Sequence, residues 1–239
     1  MSAPEFNPFN PEFRAHPYPF YDALRSQDPV HTTEFGMVVL TRYDDVSTTL
    51  KSADFSRDVE KYSTQATSEA RQRRRDMQRE RTKSILNLDP PDHTRLRRIV
   101  SKSFTPSAME KLRGRIQQLV DTVLDAAHER GSIELIDDLA FPVPFQVISD
   151  LLNMPTERAD EMREWSQIIT NSLEPTATDE ELAQSDAAVA QLVPYLTSII
   201  EERRKNLGDD MLSSLITAEE AGDKMTTDEL MAFLVLLYI

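Results

Sequence analysis

The sequence lacks cysteine altogether, has five glycines and one tryptophan, and contains no apolar run long enough to cross a membrane. Without cysteine, disulfide bonds and cysteine-ligated metal sites are excluded. A membrane-spanning helix needs roughly 20 consecutive apolar residues, so no membrane span is expected. The first residues, Met-Ser-Ala-Pro-Glu-Phe-Asn-Pro, show no basic stretch followed by an apolar core. We therefore expect no secretory signal and a cytoplasmic protein.

Positive charge is also in deficit, with 27 Lys and Arg against 41 Asp and Glu and a net charge of −14. Such a chain repels nucleic acid overall, and no nucleic-acid partner is expected. The strongly basic block, residues 71–81, lies in a polar segment over residues 56–83. No aromatic side chains interleave with its arginines, so a solvated loop or helix is favoured over a nucleic-acid site.

Several kinds of catalytic site are missing as well. The sequence has no Gly-rich phosphate loop, no Gly-x-Ser-x-Gly and no His-Glu-x-x-His. Its four histidines, at 16, 31, 93 and 128, have no metal-ligand spacing. Hydrolase and kinase chemistry find no support, and no metal site is expected on the chain.

Apolar periodicity predicts a mainly α protein with a small β element. Residues 1–19 are rich in Pro, Phe and Asn and predict an extended arm. Short strands are predicted around Gly36, within residues 30–41, and at Ile133 and Leu135. Helices are predicted over residues 19–27, 43–51, 106–127, 141–152, after a cap at Thr156, 182–205 with Pro194 as a kink or start, 209–221, and in a last helix that runs to Ile239. Thr226 or Thr227 caps this last helix, and Glu229 falls near the capping-box position.

Residues 89–98, Asp-Pro-Pro-Asp-His-Thr-Arg-Leu-Arg-Arg, are the most informative segment. Asp89 can cap a helix, and proline suits the first helical position. Asp92 would then lie in the first turn, where the helix dipole favours a negative charge. His93 and Arg97 are four residues apart and share one face. Together they could hold a carboxylate or phosphate, although a capped surface helix with a basic face explains the same spacing.

The surroundings of this segment resemble a known family, the bacterial cytochromes P-450, which are haem-thiolate monooxygenases. The likeness lies in an ordered series of segments and covers the chain from about Pro17 to Ile239. The segments are 84–106 around the family's C helix, 138–144 and 147–155 leading into its E helix, Glu164-Trp-Ser166 in its F-helix region, and 209–216 with 226–233 before its I helix.

The resemblance implies that residues 1–239 are the N-terminal part of a single haem-binding monooxygenase domain, with residues 56–83 as its B–C loop region. The resemblance implies that the family's oxygen-handling motif, Glu-x-x-Arg motif and cysteine loop follow the helix that opens at Thr226, so this sequence stops before all three, and it contains no cysteine. The apolar helix from Leu230 to Ile239 stops in mid-pattern. We therefore expect the chain to continue beyond Ile239 and the iron ligand to lie there.

The resemblance also implies particular residue roles. His93 and Arg97 would bind a propionate of haem b (iron protoporphyrin IX), Leu86 and Phe104 would touch the haem edge, and Ile85 would reach toward the substrate. The remaining basic residues on or beside the helix would face a ferredoxin-type electron donor, which is reduced by its own reductase. These residues are Arg95, Arg98 and Lys102. Core packing for the apolar residues and solvated charge for the basic ones explain the same residue types.

Two functions of different classes follow. The first is a haem-dependent monooxygenase that hydroxylates a small hydrophobic substrate with O2 and two electrons from a redox partner. The second is a truncated, non-catalytic helical protein that binds a ligand or partner, with its last helix as a docking face. An unrelated all-α regulator is a weaker third hypothesis.

Overall fold

The computed structural model describes residues 5–34, 36–58, 61, 76, 83–174, 176–220 and 225–239. Its chain divides into two compact units. The first unit comprises residues 1–57 and 174–177, and the second comprises residues 58–173 and 178–239. The basic block at 71–81, apart from position 76, lies outside the described residues, and so does much of the predicted B–C loop region.

The first unit is built from short helices and a hairpin. Its elements are α1 (Pro11–Ala15), α2 (Pro17–Gln27), β1 (Val30–Thr32), β2 (Val38–Leu40) and α3 (Tyr43–Lys51). The strands are antiparallel, with Val30 opposite Leu40 and Thr32 opposite Val38. Gly36 turns the chain at φ 76°, which a residue without Cβ adopts readily. The small β element predicted within residues 30–41 is confirmed.

The predicted extended arm over residues 1–19 is wrong where α1 and the start of α2 form. The Asn10 side chain accepts a hydrogen bond from the Glu12 amide at 2.8 Å, and Pro11 occupies the first turn. Phe13 is 5% exposed and packs edge-on against Tyr21, with ring centroids 5.5 Å apart. Pro11 and Pro17 each stand at the start of a helix, so the prolines of this segment begin helices and do not keep the chain extended.

The second unit is built from helices and helical turns, with no strand among its described residues. It contains a 3-10 turn (Ile85–Asn87), α4 (Asp92–Ser101), α5 (Pro106–Arg130), a π-helical turn (Leu135–Ala140), α6 (Pro142–Leu152), α7 (Ala159–Asn171), α8 (Asp179–Lys205), α9 (Met211–Glu220) and α10 (Thr227–Tyr238). No helix among the described residues is long and apolar enough to cross a membrane.

Helix ends follow the local sequence. Thr226 caps α10 through its side chain and forms a capping box with Glu229, as predicted. Thr178 does the same for α8. Gly131, at φ 76°, ends α5. The 27-residue α8 contains Pro194 in its interior, so this proline does not start the helix.

Two local predictions in the second unit are wrong. Ile133 and Leu135 do not form a strand, because the chain enters a π-helical turn in which the amide of the second residue, Ile136, donates to the Glu134 carboxylate at 3.2 Å. Thr156 does not cap the next helix. That helix, α7, begins at Ala159 with Arg158 at the N-cap. Local hydrogen bonds and backbone conformation decide both the π-helical turn and the start of α7, and a periodic apolar pattern does not report on either.

A single hydrophobic core contains side chains of α4 and of every helix from α6 through α10. In α10, the residues Leu230 and Leu234 are fully buried, and Tyr238 is 5% exposed. Burial raises the pKa of the Tyr238 phenol to about 12, and its hydroxyl lies 3.1 Å from that of Ser149 on α6. The apolar side chains of the last helix thus pack largely against α6, α8 and α9.

Core truncation should separate buried from exposed leucines. Leu196→Ala on α8, at a fully buried site, should lower the free energy of unfolding by about 2–5 kcal/mol, since it removes packed methyl groups and leaves a cavity. Leu207→Ala, at a site 50% exposed, should change it by less than about 0.5 kcal/mol. Urea denaturation followed by circular dichroism measures both, and equal losses would contradict this core.

Candidate functional site

The site predicted from sequence is built on α4, which begins immediately after the pair Pro90-Pro91. Asp92 is its first residue and lies in the first turn, as predicted, with Pro91 at the N-cap. Asp89 does not play the predicted part of capping residue. Its carbonyl oxygen accepts from the His93 amide at 3.1 Å, and its carboxylate accepts from Lys61 Nζ at 2.7 Å.

The helix α4 is held in the core by one apolar face. Leu96 and Ile99 are 3% and 1% exposed. Because successive residues are rotated by about 100° around a helix, His93 and Arg97 lie about 40° apart, on one flank of that buried face. The structure thus places these two residues together, one turn apart along the helix.

The His93 ring and the Arg97 guanidinium on this flank are available for a ligand. His93 is half-buried, and Arg97 is exposed. Neither the His93 ring nor the Arg97 guanidinium has a hydrogen-bond or ion-pair partner among the described residues. A half-buried imidazole and a guanidinium fork without partners on one flank can together accept an anionic group such as a carboxylate.

Exposed apolar side chains come from the segments on either side of α4. Leu86, in the 3-10 turn that contacts α4, is 57% exposed. Phe104, just after α4, is 36% exposed, and its ring is 6.5 Å from that of Phe233 in an edge-to-face arrangement. Ile85 is half-buried against the core. Large exposed apolar groups near an anion-binding flank suit a ligand that is apolar with a charged edge.

The opposite flank of α4 carries the other basic residues. Arg98 and Lys102 are exposed. Arg95 forms an ion pair with Glu229 on α10, 134 residues away, and both side chains are largely buried, at 31% and 12% exposure. The role of Arg95, Arg98 and Lys102 at a redox-partner surface stays a prediction, but Arg95 already has a protein partner.

Glu229 is a residue whose importance the sequence showed only in part. Its capping-box spacing is local and was predicted, whereas its pairing with Arg95 depends on how two distant helices pack. Burial on its own would raise the pKa of the Glu229 carboxyl. Hydrogen bonds from Arg95 and the Thr226 amide outweigh burial and lower that pKa below its usual value.

Two other kinds of site are absent or lie elsewhere. The described residues contain no cluster of His, Asp or Glu able to hold a metal ion. A cleft of about 340 Å³ opens beside the C-terminal half of α8 and is lined by Pro155, Arg158, Tyr195, Glu202 and their neighbours. None of the residues predicted to bind a cofactor or substrate lines this cleft.

Comparison with known proteins gives strong matches, although no family model matches the chain. Cytochrome P-450 107B1 of Saccharopolyspora erythraea is 38% identical over 205 residues, covering 84% of this chain and 48% of the relative. Vitamin D(3) 25-hydroxylase of Pseudonocardia autotrophica is 34% identical over 97% of this chain and 55% of its own. The solved structure of the polyketide synthase cytochrome P-450 PksS of Bacillus subtilis 168 is 31% identical, with a TM-score of 0.81 over 97% of this chain and 57% of that one.

Both the fold and the sequence matches define a class of haem-dependent oxidoreductases. Within that class, the chain belongs to the bacterial cytochrome P-450 family, as the order of its segments predicted. It spans about half the length of the curated relatives that it matches. The cofactor of the family is haem, and the fold class predicted from sequence is confirmed.

The Glu229 carboxylate should make stability depend on pH. Because its pKa is lowered in the folded state, its contribution is fully present above the ordinary value of 4.5 and is lost as pH falls through the folded pKa. Glu229→Gln should therefore lower the free energy of unfolding at pH 7 by about 1–3 kcal/mol, since it leaves a partly buried charge without its partner. The difference from wild type should shrink as pH falls below 4.5.

Urea denaturation across this pH range checks the sign of the effect. Glu202→Gln is the matched control, because the Glu202 side chain is 67% exposed beside Lys205 and should contribute little at any pH. A deficit in Glu229→Gln that persists unchanged below pH 4.5 would show that the carboxylate charge is not what stabilises this contact.

Proposed function

We propose that the protein is a haem-dependent monooxygenase that hydroxylates a small, hydrophobic organic substrate. The overall reaction consumes O2, two electrons and two protons, and leaves one oxygen atom in the product and one in water. When bound, haem b supplies the activation of oxygen. The residues of this chain bind the cofactor's edge, orient it and shield it from water.

The observation that carries the proposal is the flank of α4 with His93 and Arg97. Haem is a large apolar disc with two carboxylates on one edge, and burying the disc requires that this charge be paired. An imidazole and a guanidinium with no partner in the described part of the chain, on a helix flanked in sequence by exposed apolar residues, fit that edge. Arg97 can bind a carboxylate with two parallel hydrogen bonds, which lysine could not do.

The apolar neighbours complete this part of the haem site. Leu86 and Phe104 would contact the disc near the propionates, and this contact would cover the apolar surface that they expose here. Ile85, on the same turn as Leu86, would reach toward the substrate. The chain has no cysteine. In this proposal, residues outside this sequence supply the thiolate ligand of the iron.

The substrate class rests on the relatives. One is named as a hydroxylase of vitamin D(3), and another belongs to polyketide biosynthesis. Both names indicate apolar molecules larger than a simple alcohol or acid, and we propose a substrate of that kind. The absence of charged groups from the predicted contact Ile85 agrees with it. A cytoplasmic location stays a prediction.

Electrons would enter from a ferredoxin-type donor, reduced by its own reductase. The donor would dock beside Arg98 and Lys102, which are exposed on the flank of α4 opposite to His93. Acidic ferredoxins would be attracted by this local positive charge on an otherwise acidic chain. Arg95 would add to the local potential, although its guanidinium is bound by Glu229.

Replacing Arg97 should weaken haem retention. In the full-length protein, Arg97→Ala should speed haem dissociation to apomyoglobin at least about tenfold, because a charge-assisted hydrogen bond contributes roughly 1.5–3 kcal/mol. Arg97→Lys should fall between wild type and alanine. Arg98→Ala is the matched control on the same helix and should leave the rate within about twofold, since interactions of exposed charged side chains contribute less than about 1 kcal/mol.

A reduced, carbon-monoxide-bound sample tests the monooxygenase proposal directly. The full-length protein should show the Soret band of a thiolate-ligated haem. A colourless protein that binds no haem would overturn the proposal and favour the non-catalytic ligand-binding alternative. Equal haem loss in Arg97→Ala and Arg98→Ala would instead retain the enzyme but reject the assigned propionate site.

The donor surface has its own test. Arg98→Glu and Lys102→Glu should slow reduction of the iron by an acidic ferredoxin at low ionic strength, where attraction between surface charges is strong. The difference from wild type should shrink at high salt, where the Debye length falls to about 3 Å. Stopped-flow reduction measures both conditions, and a loss that is independent of salt would contradict docking at this flank.

A further inference from the structure

We propose that Arg95 is a positioning residue, whose ion pair with Glu229 fixes the rotation of α4 about its own axis and thereby aims His93 and Arg97 at their anionic ligand. This inference rests on the proposed haem site. It gives Arg95 and Glu229 a role different from docking a redox partner.

The contact between Arg95 and Glu229 is a two-point contact. The Nη1 atom of Arg95 lies 3.5 Å from Oε2 of Glu229, and Nη2 donates to Oε1. Two contacts to a planar carboxylate restrict the guanidinium in direction as well as in distance. The Asp92 carboxylate, 3.7 Å from Nη2, adds a weaker restraint from the first turn of α4 itself.

The Glu229 carboxylate is itself held in place. Its Oε2 accepts from the Thr226 amide at 2.7 Å, and its own amide donates to the Thr226 hydroxyl at 3.2 Å. A carboxylate that closes a capping box cannot swing freely toward a mobile arginine. The first turn of α10 therefore acts as the fixed partner, and α10 is anchored in turn by the fully buried Leu230.

The position of Arg95 on the helix gives the contact its effect. Arg95 lies two residues from both His93 and Arg97, so about 160–200° of rotation separates it from each of them. Leu96 and Ile99 are buried and Val100 packs half-buried against the core, but these neighbouring positions on one face of a ten-residue helix leave some freedom to roll.

The size of the effect follows from helix geometry. Side-chain tips lie about 5–6 Å from the axis, so a roll of about 20° moves them by about 2 Å. That distance is enough to break a hydrogen bond, since useful donor–acceptor distances span only about half an ångström. The ion pair between Arg95 and Glu229 therefore controls whether Arg97 lies within hydrogen-bonding distance of its ligand.

The test uses the full-length holoenzyme and two variants that remove the charge pair. Arg95→Met and Glu229→Gln should each speed haem dissociation about three- to tenfold, and the double variant should be no faster than either alone. Arg98→Met is the matched control on the same helix and should stay within twofold. Thr227→Val is the control at the first residue of α10, because it removes the hydrogen bond that the Thr227 hydroxyl accepts from Arg204 of α8, and it should also stay within twofold.

A role exerted through Arg97 predicts a further result that general loss of stability does not. In an Arg97→Ala background, Arg95→Met should change haem dissociation by less than twofold, because the group that it positions is gone. An undiminished effect in that background would overturn the proposal. So would equal effects of Arg95→Met and Arg98→Met.

A second measurement separates this proposal from the haem assignment. Amide hydrogen exchange on the purified protein, with haem stripped, should show faster exchange in α4 and in the first turn of α10 for Arg95→Met, and not for Arg98→Met. Unchanged exchange would show that the ion pair does not hold α4, whether or not the protein binds haem. Faster exchange in a protein that never binds haem would retain the contact and reject the proposed function.

Discussion

Burial of the apolar faces of α8 and α10 in one core is the constraint on which the second unit depends. Leu192, Leu196, Leu230 and Leu234 are all fully buried there, and α4, α6, α7 and α9 pack onto the same core. At roughly 25 cal/mol per Å² of apolar surface removed from water, side chains of this size dominate the favourable side of folding. The polar contacts, including the capping boxes and the pair between Arg95 and Glu229, act on helices that this core has already brought together.

Helix α4 connects the hydrophobic core to the candidate functional site. It is short, and it divides its surface into three parts with separate tasks. One face is buried through Leu96 and Ile99, one flank holds His93 and Arg97, whose side chains have no partner within the described segments, and the other flank pairs Arg95 with Glu229. In the proposed haem site, His93 and Arg97 would be held rigidly, because they lie on a helix that is fixed from two other directions. The family's cofactor supplies a candidate ligand for this flank, and the two side chains explain why that ligand would be an anion.

The sequence predicted much of the local structure for local reasons. Gly36, Gly131 and Thr226 act where their backbone or side-chain chemistry requires, and the apolar spacing of α5 and α10 produced helices as expected. Failures occurred where short polar contacts decided the conformation. Asn10 turned a proline-rich arm into a helix, and Glu134 helped to turn an alternating segment into a π-helical turn. Such contacts involve one or two side chains, so the periodicity of apolar residues does not predict them.

For the site, sequence alone determined that His93 and Arg97 share one flank, because four residues make about one helical turn. It also determined the capping role of Glu229, because a capping box spans only three residues. Tertiary structure alone decided that Arg95 is bound rather than free for docking, since its partner is 134 residues away on another helix. It likewise decided which apolar residues stay exposed. Spacing within one helix follows from covalent geometry, whereas pairing between helices depends on how the core packs, and that is settled only when the whole chain folds.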